Sequence, residues 1–517
     1  MLGSSILVSL VTVLVSAINF LSQVVLAWKF GASSSMDIYL LAISGPMFIS
    51  GVLSVGMSYS LVPALVNNQL QPDSFRQLSG LLFTSFLLLA GIIAGLGYWL
   101  TAGQIALLGH QLSDLEMTEA VEIARVSWLT AGVMVLIAYL RGLHNAKQRF
   151  LFATFASAVP PLCVIFAGLL VPSSGGTVYI AWATLFGCVL LVPLLLVHSH
   201  IDLNLSCTNL LVFAEVKKYL IRLPLIIVAV LCFTVFQASD AFWASQLGEG
   251  NLAHLSYCQR LVVSLGNLVI AGPAALVLTR FSRAHAAGRP QELLDDTQRV
   301  IRMVLACASP VAVYLTIFAE PTLGLLFERG AFTQETTQEV ATLLPWMMLG
   351  MVPMLCVVVI FRAIFARQEI LWAAGLGTLT SLIYFGLSGL LSWSFAALGI
   401  AVAYAFTWWT ILLLSIGVLW RGRFKHLTQS DNGKFIYKLA IVLTVTGVVG
   451  LACRGWTSHI EAVDIALALR LSILGFTGAL LYVGLAVAIH IGEIRLLFFY
   501  IFRKVPTASE LLGRRGL

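Results

Sequence analysis

Few side chains in this 517-residue sequence could do chemistry, because most of it is apolar, and those few are spaced informatively. Arg260 lies in Tyr257-Cys258-Gln259-Arg260-Leu261, about a third of the way into an apolar run. An arginine there must face protein or water, and its planar fork can hold a phosphate through two parallel N–H groups. Asp240 and Gln237 are three apart, on one face of a helix. They form either an ion or proton site or an inter-helix hydrogen-bonding pair, and Asp240 could also lock Arg260 in a salt bridge. Asn19 and Gln23, spaced i and i+4, either donate to a polar substrate or act as polar glue between helices. Lys29 and Asp37 flank the turn from Gly31 to Ser35; Asp37 either caps the helix that follows or pairs with Lys29 as an outer gate. Glu328-Arg329 reads as a fixed turn, and Arg141 and Arg362 as headgroup anchors or an inner gate. The eight cysteines are scattered without a CxxC pair and read as small core residues, so no metal site is expected. GxxxxGK[ST], HExxH and GxSxG are all missing, which leaves nucleotide-driven pumping and intramembrane hydrolysis without a chemical basis. The expectation is a transporter, not an enzyme, with no cofactor and with ion, membrane-potential or substrate-gradient coupling.

The elements that position these residues follow from composition. Hydrophobic residues make up 59% and charged residues 10%, against about 45–50% and 25% in soluble chains. A crossing takes roughly 20 apolar residues. Runs bounded by Gly, Pro and charge place helices near 5–28, 38–66, 79–101, 121–141, 150–172, 177–198, 221–246, 252–280, 298–319, 339–366, 370–392, 395–420, 435–453 and 465–491. Val15-Ser16-Ala17 resembles a signal cleavage site, but the run continues to Trp28, so the segment reads as a retained first helix. With both termini cytoplasmic, most of the 30 Lys and Arg fall on inner segments, as the positive-inside rule requires. Trp28, Trp99, Trp346 and Trp420 near helix ends read as interfacial anchors. No basic run lies beside exposed aromatics, so nucleic acid is not an expected partner.

A faint repeat near 220 residues relates Leu140-Arg141-Gly142-Leu143 to Phe361-Arg362-Ala363-Ile364, and Gly31 to Gly248. The fold class that follows is an all-α polytopic membrane protein of about fourteen transmembrane helices. Two pseudo-repeated six-helix lobes, 1–200 and 221–420, are joined by a cytoplasmic linker at 201–220. A second linker at 421–434, helices 13 and 14 within 435–491, and a cytoplasmic tail at 492–517 complete the chain. Parallel bundles of this kind can rock about a central cavity, which is a carrier's mechanism.

Three stretches resemble the MviN/MurJ family of lipid II flippases, within the multidrug/oligosaccharidyl-lipid/polysaccharide exporter superfamily. They are Lys29-Phe30-Gly31-Ala32 with Asp37, Pro46, Gly56 and Val62-Pro63; Tyr257 to Leu261; and Leu326-Phe327-Glu328-Arg329-Gly330-Ala331-Phe332-Thr333. The resemblance implies a flippase in the bacterial inner membrane. It would carry an undecaprenyl-diphosphate-linked sugar, lipid II or a related envelope-glycan precursor, through a central cavity, with helices 13 and 14 forming a groove for the lipid tail. Its partners would be the lipid-linked glycan, the bilayer and envelope biosynthesis proteins. The sequence departs from the family where arginines and acids usually line helices 1 and 2: Ser16, Ser22, Gln23, Ser50, Gly51 and Val55 stand there, while Arg260 is kept. An ion-coupled drug or metabolite exporter and a non-transporting envelope scaffold are the rival readings.

Overall fold

The computed structural model describes residues 2–68, 72–109, 112–147, 149–172, 175–197, 210–286, 289–421, 432–456 and 465–493, and among them there is no β-strand. The first lobe is built from α1 (Leu2–Phe30), α2 (Ser34–Asn68), α3 (Pro72–Leu108), α4 (Asp114–Ala146), α5 (Phe150–Ala156), α6 (Val159–Leu170) and α7 (Thr177–Val197). The second begins with α8 (Leu210–Ala244), α9 (Asn251–Ala286), α10 (Pro290–Ile317), α11 (Ala319–Phe327) and α12 (Gln334–Ala366). The helical run that follows, Ile370–Leu419, breaks at Ala396, whose φ of 50° and ψ of −136° no helix accommodates. It is therefore two crossings, α13 (370–395) and α14 (397–419). A final pair, α15 (Asn432–Cys453) and α16 (Ile465–Ala488), follows.

Counting α5 with α6 and α10 with α11 as one crossing each yields the expected fourteen. Among the described residues 12 helices are long and apolar enough to cross a membrane. The difference is the 370–419 run, counted once there, and α9, whose first half carries Asn251, Gln259 and Arg260. Some boundaries differ from the sequence pattern. The 150–172 run is interrupted at Ser157 and Ala158, just ahead of the paired prolines of α6. The 298–319 run gives way at Phe318 to the separate α11, which the apolar pattern does not resolve. Of the two expected linkers, 201–209 and 422–431 lie outside the described residues; Leu210 already belongs to α8 and Asn432 to α15. Residues 494–517 of the expected tail lie outside them as well.

Each lobe is organised around one central helix. α4 packs on α2, α3 and α7, and α12 packs on α9, α10 and the 370–419 run. These are the fourth and tenth crossings, where the repeat is clearest, and they are the two most buried spans. Small residues such as Ala124, Ser127, Ala131 and Gly132 on α4 let neighbouring backbones approach, which matters where no hydrophobic force drives helices together. The lobes meet mainly through α2 against α8 and α1 against α9. α15 and α16 dock on α10 and α11: Tyr482 donates to the Ala306 carbonyl at 2.7 Å and Tyr314 to that of Leu471 at 2.9 Å. Arg302 bridges Asn432 (2.8 Å) and Glu493 (3.3 Å) at one end of that pair. Trp28, Trp99 and Trp346 are exposed, as anchors must be, but Trp420 is 2% exposed. It is a packed residue because the turn after α12 folds over the end of α14, Arg367 donating to the Leu419 carbonyl at 2.8 Å.

Gly377 of α13 lies close against the backbone of α8, where an added Cβ would sit 2.3 Å from the Val228 carbonyl oxygen. Gly377→Val is expected to incur an overpacking cost of about 1–3 kcal/mol. The apparent melting temperature of the detergent-purified protein should fall accordingly. Gly375→Val, on the open side of the same helix, should leave it unchanged in the same measurement.

Candidate functional site

Where the two lobes meet, α1, α2, α8 and α9 enclose a cavity of about 350 Å³. Five of the residues singled out from the sequence line it: Asn19 and Gln23 from α1, Gln237 and Asp240 from α8, and Arg260 from α9. Helical periodicity explains the convergence. Asn19 and Gln23 are a turn apart, as are Gln237 and Asp240, so each pair presents one polar stripe inward from a helix whose other faces are apolar.

Arg260 and Asp240 do not pair. The Arg260 Nε donates to Ser256 Oγ at 3.0 Å, one turn back on α9, and among the described residues its guanidinium forms no ion pair. Asp240, 3% exposed, accepts instead from the Tyr384 hydroxyl of α13 and from Gln259 Nε2 at 3.3 Å. The salt-bridge lock open to the sequence reading is therefore not formed, and the acid ties α8, α9 and α13 together. Asn19 Nδ2 is engaged with the Val15 carbonyl (3.0 Å) and Gln23 Nε2 with Ser22 Oγ (3.1 Å). Gln23 Oε1 and Thr234 Oγ1 are buried without a protein partner. Buried polar atoms are nearly always hydrogen-bonded, and both of these residues line the cavity. A guanidinium with free N–H groups, surrounded by amides and hydroxyls, can hold a phosphate and the hydroxyls of a sugar.

Lys29 and Asp37 lie elsewhere, at the end of the seam where α1 turns into α2. They do not pair either: the Lys29 ammonium sits 5.6 Å from the centre of the Trp28 ring. Asp37 does not cap its own helix. Its two carboxylate oxygens accept from the backbone N–H groups of Gly250 (2.6 Å) and Ala253 (2.8 Å), at the start of α9 in the opposite lobe. Those N–H groups have no partner within α9, and the positive end of the helix favours an anion there. Further bonds close the same end. Tyr257 donates to the Gly31 carbonyl at 2.6 Å, Ser34 N–H to Glu249 at 2.8 Å, Ser245 to the Leu108 carbonyl at 3.0 Å, and Ala331 N–H to the Trp28 carbonyl at 2.9 Å. The turn that docks on Trp28 is the expected Glu328-Arg329 turn. Glu328 accepts from Thr337 and Arg329 donates back to the Leu325 carbonyl. Gly31, with φ 57°, is the point of closest contact: a Cβ there would lie 2.2 Å from the Ala331 carbonyl oxygen. Its counterpart in the repeat, Gly248, also has positive φ, at 96°.

Sequence reasoning missed Tyr384, Ser256 and Thr234. Gln259 and Ser256 stand beside Arg260, at i−1 and i−4, and could have been found from that helical spacing. Tyr384 carries no such signal, since it is one aromatic in an apolar run more than a hundred residues from Asp240. No group of three or more His, Cys, Asp or Glu side chains able to hold a metal occurs among the described residues.

Comparison with known proteins agrees with this architecture. A probable lipid II flippase MurJ of Rhizobium meliloti (strain 1021) is 25% identical over 507 residues, which are 92% of this chain and 91% of that protein. A solved structure of a lipid II flippase MurJ in an inward closed conformation superposes with a TM-score of 0.74 at 18% identity, over 96% of this chain and 99% of that one. An inward-facing multidrug resistance MATE family transporter of the MOP superfamily gives 0.67 at 14% identity, over 82% of this chain and 99% of that one. Both structural likenesses, at these identities, speak to the fold. The sequence model of the lipid II flippase MurJ family matches residues 26–471, and the chain belongs to that family.

Proposed function

We propose that this protein is a flippase of the bacterial inner membrane that carries an undecaprenyl-diphosphate-linked sugar, lipid II or a related envelope-glycan precursor, between leaflets by alternating access. The observation that carries the reading is the cavity between the lobes, with the Arg260 guanidinium unpaired among amides and hydroxyls. A diphosphate sugar head cannot cross hydrocarbon bare, because even one unpaired charge there is very costly. The cavity supplies a cation and donors in its place, while the lipid tail stays outside the lobes. Family membership supports the same substrate chemistry. The match to the flippase family over residues 26–471 also favours the flippase over the drug-exporter reading.

With both termini cytoplasmic, the end closed through Asp37 faces the periplasm, and the substrate enters from the cytoplasmic side. Release requires that clasp to open. Asp240 is the group suited to coupling, because it is a carboxyl at the cavity wall held by two neutral donors, Tyr384 and Gln259, from other helices. Gain or loss of a proton or a small cation there would rearrange both contacts.

Three outcomes follow. In vesicles containing the purified protein and a polyprenyl-diphosphate-linked N-acetylglucosamine, an assay of head-group exposure in the far leaflet should show transfer well above protein-free vesicles. Arg260→Ala should reduce it roughly 10- to 100-fold, the equivalent of losing charge-assisted bonds worth about 1.5–3 kcal/mol; transfer that stays at background with the intact protein would remove the flippase reading. Asp37→Ala, by releasing two donors at the α9 terminus, should speed the labelling of a cysteine placed at Leu252 by a membrane-impermeant thiol reagent applied from the periplasmic side. Unchanged labelling would mean that Asp37 is not the clasp. Asp240→Asn should abolish the response of transfer to an imposed proton or sodium gradient while leaving gradient-free exchange measurable, and a retained response would rule Asp240 out as the coupling group.

A further inference from the structure

We infer that the cavity selects a lipid-linked glycan whose sugars are uncharged: a polyprenyl diphosphate bearing a neutral saccharide, in preference to one bearing a peptide or acidic sugars. The inference rests on the flippase reading and names the substrate class of that same site.

The charge inventory of the four lining helices carries the first half of the argument. α1 has no charged residue from Leu2 to Trp28. In α2 the one charge is Asp37, which is engaged at the clasp. From Leu223 to the end of α8 the one charge is Asp240. In α9, from Asn251 to Thr279, Arg260 is the one fixed cation, with His254 the only other titratable base. A head group entering this cavity therefore meets one guanidinium and one acid. The guanidinium can take one phosphate through its two terminal nitrogens, since Nε is held by Ser256. No second cation remains in the lining for a carboxylate on the glycan or on an attached peptide. Such a group would have to shed water in a lining that offers it no counter-charge.

The neutral lining carries the second half. Asn19, Gln23, Gln237 and Gln259 bring amides, and Ser256 and Thr234 bring hydroxyls. Each of these side chains can both donate and accept, as sugar hydroxyls and N-acetyl groups do. The buried Gln23 Oε1 and Thr234 Oγ1, which have no protein partner, are two acceptors that a sugar hydroxyl would satisfy. Phe233 and Phe236 add apolar wall, the latter stacked on Trp408 with ring centres 4.9 Å apart. A volume of about 350 Å³ also sits near the lower end of the roughly 300–1,000 Å³ of ligand pockets, which suits a short saccharide more than a saccharide with a peptide.

The test uses the full-length protein in vesicles and three probes: polyprenyl-diphosphate N-acetylglucosamine, a polyprenyl-diphosphate disaccharide carrying a peptide with free carboxylates, and the methyl ester of that peptide lipid. The neutral probe is expected to cross at least about tenfold faster than the free acid, a factor corresponding to ~1.4 kcal/mol. The methyl ester should recover most of the difference, and Gln23→Arg should shift the preference toward the free acid. If Gln23→Arg does not fold, the ester comparison decides alone. A free acid that crosses as fast as the neutral probe, or an ester that crosses no faster than the acid, overturns the inference and leaves the flippase reading standing. Failure of all three probes to exceed protein-free vesicles overturns both.

Discussion

A guanidinium held inside a bilayer must be solvated by something other than lipid, and the arrangement around Arg260 answers that single constraint. Its helix, α9, is the most polar of the crossings that line the seam, and a crossing of that composition is stable only where other helices or water cover the polar face. α1, α2 and α8 provide that cover: α1 turns Asn19 and Gln23 toward the cavity, α8 adds Thr234, Gln237 and Asp240 beside two phenylalanines, and α2 closes the wall with Leu40, Met47 and Gly51. One bond to Ser256 satisfies one of the donors of Arg260. The remaining donors open on the cavity, so the need to keep the charge solvated and the capacity to hold an anion are the same structural fact.

The acid in the cavity is managed differently. Asp240 is buried, and its carboxylate is satisfied by two neutral donors from two other helices, so it stabilises the second lobe without neutralising Arg260. Keeping the two charges apart leaves the guanidinium available to a ligand. A direct ion pair would have used up both, and a buried pair of that kind contributes little to stability in any case.

The closed end of the seam is built from groups that can be exchanged for water. Asp37 occupies the N–H groups that begin α9, and those groups would otherwise bind solvent. Breaking such a contact at the membrane surface costs far less than separating packed apolar faces in the core would. The turn at Gly31 brings the two lobes into backbone contact there, because only a residue without a Cβ can adopt its positive φ against the Ala331 carbonyl without strain. The same end that holds the lobes together is thus the end most easily released.

Much of this was legible in the residues themselves. The helical class, the fourteen crossings and the polar stripes of α1 and α8 follow from composition and from the helical period, because lipid forces every backbone group into local hydrogen bonds. That Arg260 must face a polar interior follows from the cost of the alternative. What the sequence could not determine is which partner each polar group takes. Asp240 had Arg260 as its obvious complement and took Tyr384, more than a hundred residues away; Asp37 had Lys29 and took the start of α9; Trp420 looked like an interfacial anchor and is packed. Each of those choices depends on where helices distant in the chain come to lie against one another. That placement is set by the packing of small residues over whole lobes, and no local pattern encodes it.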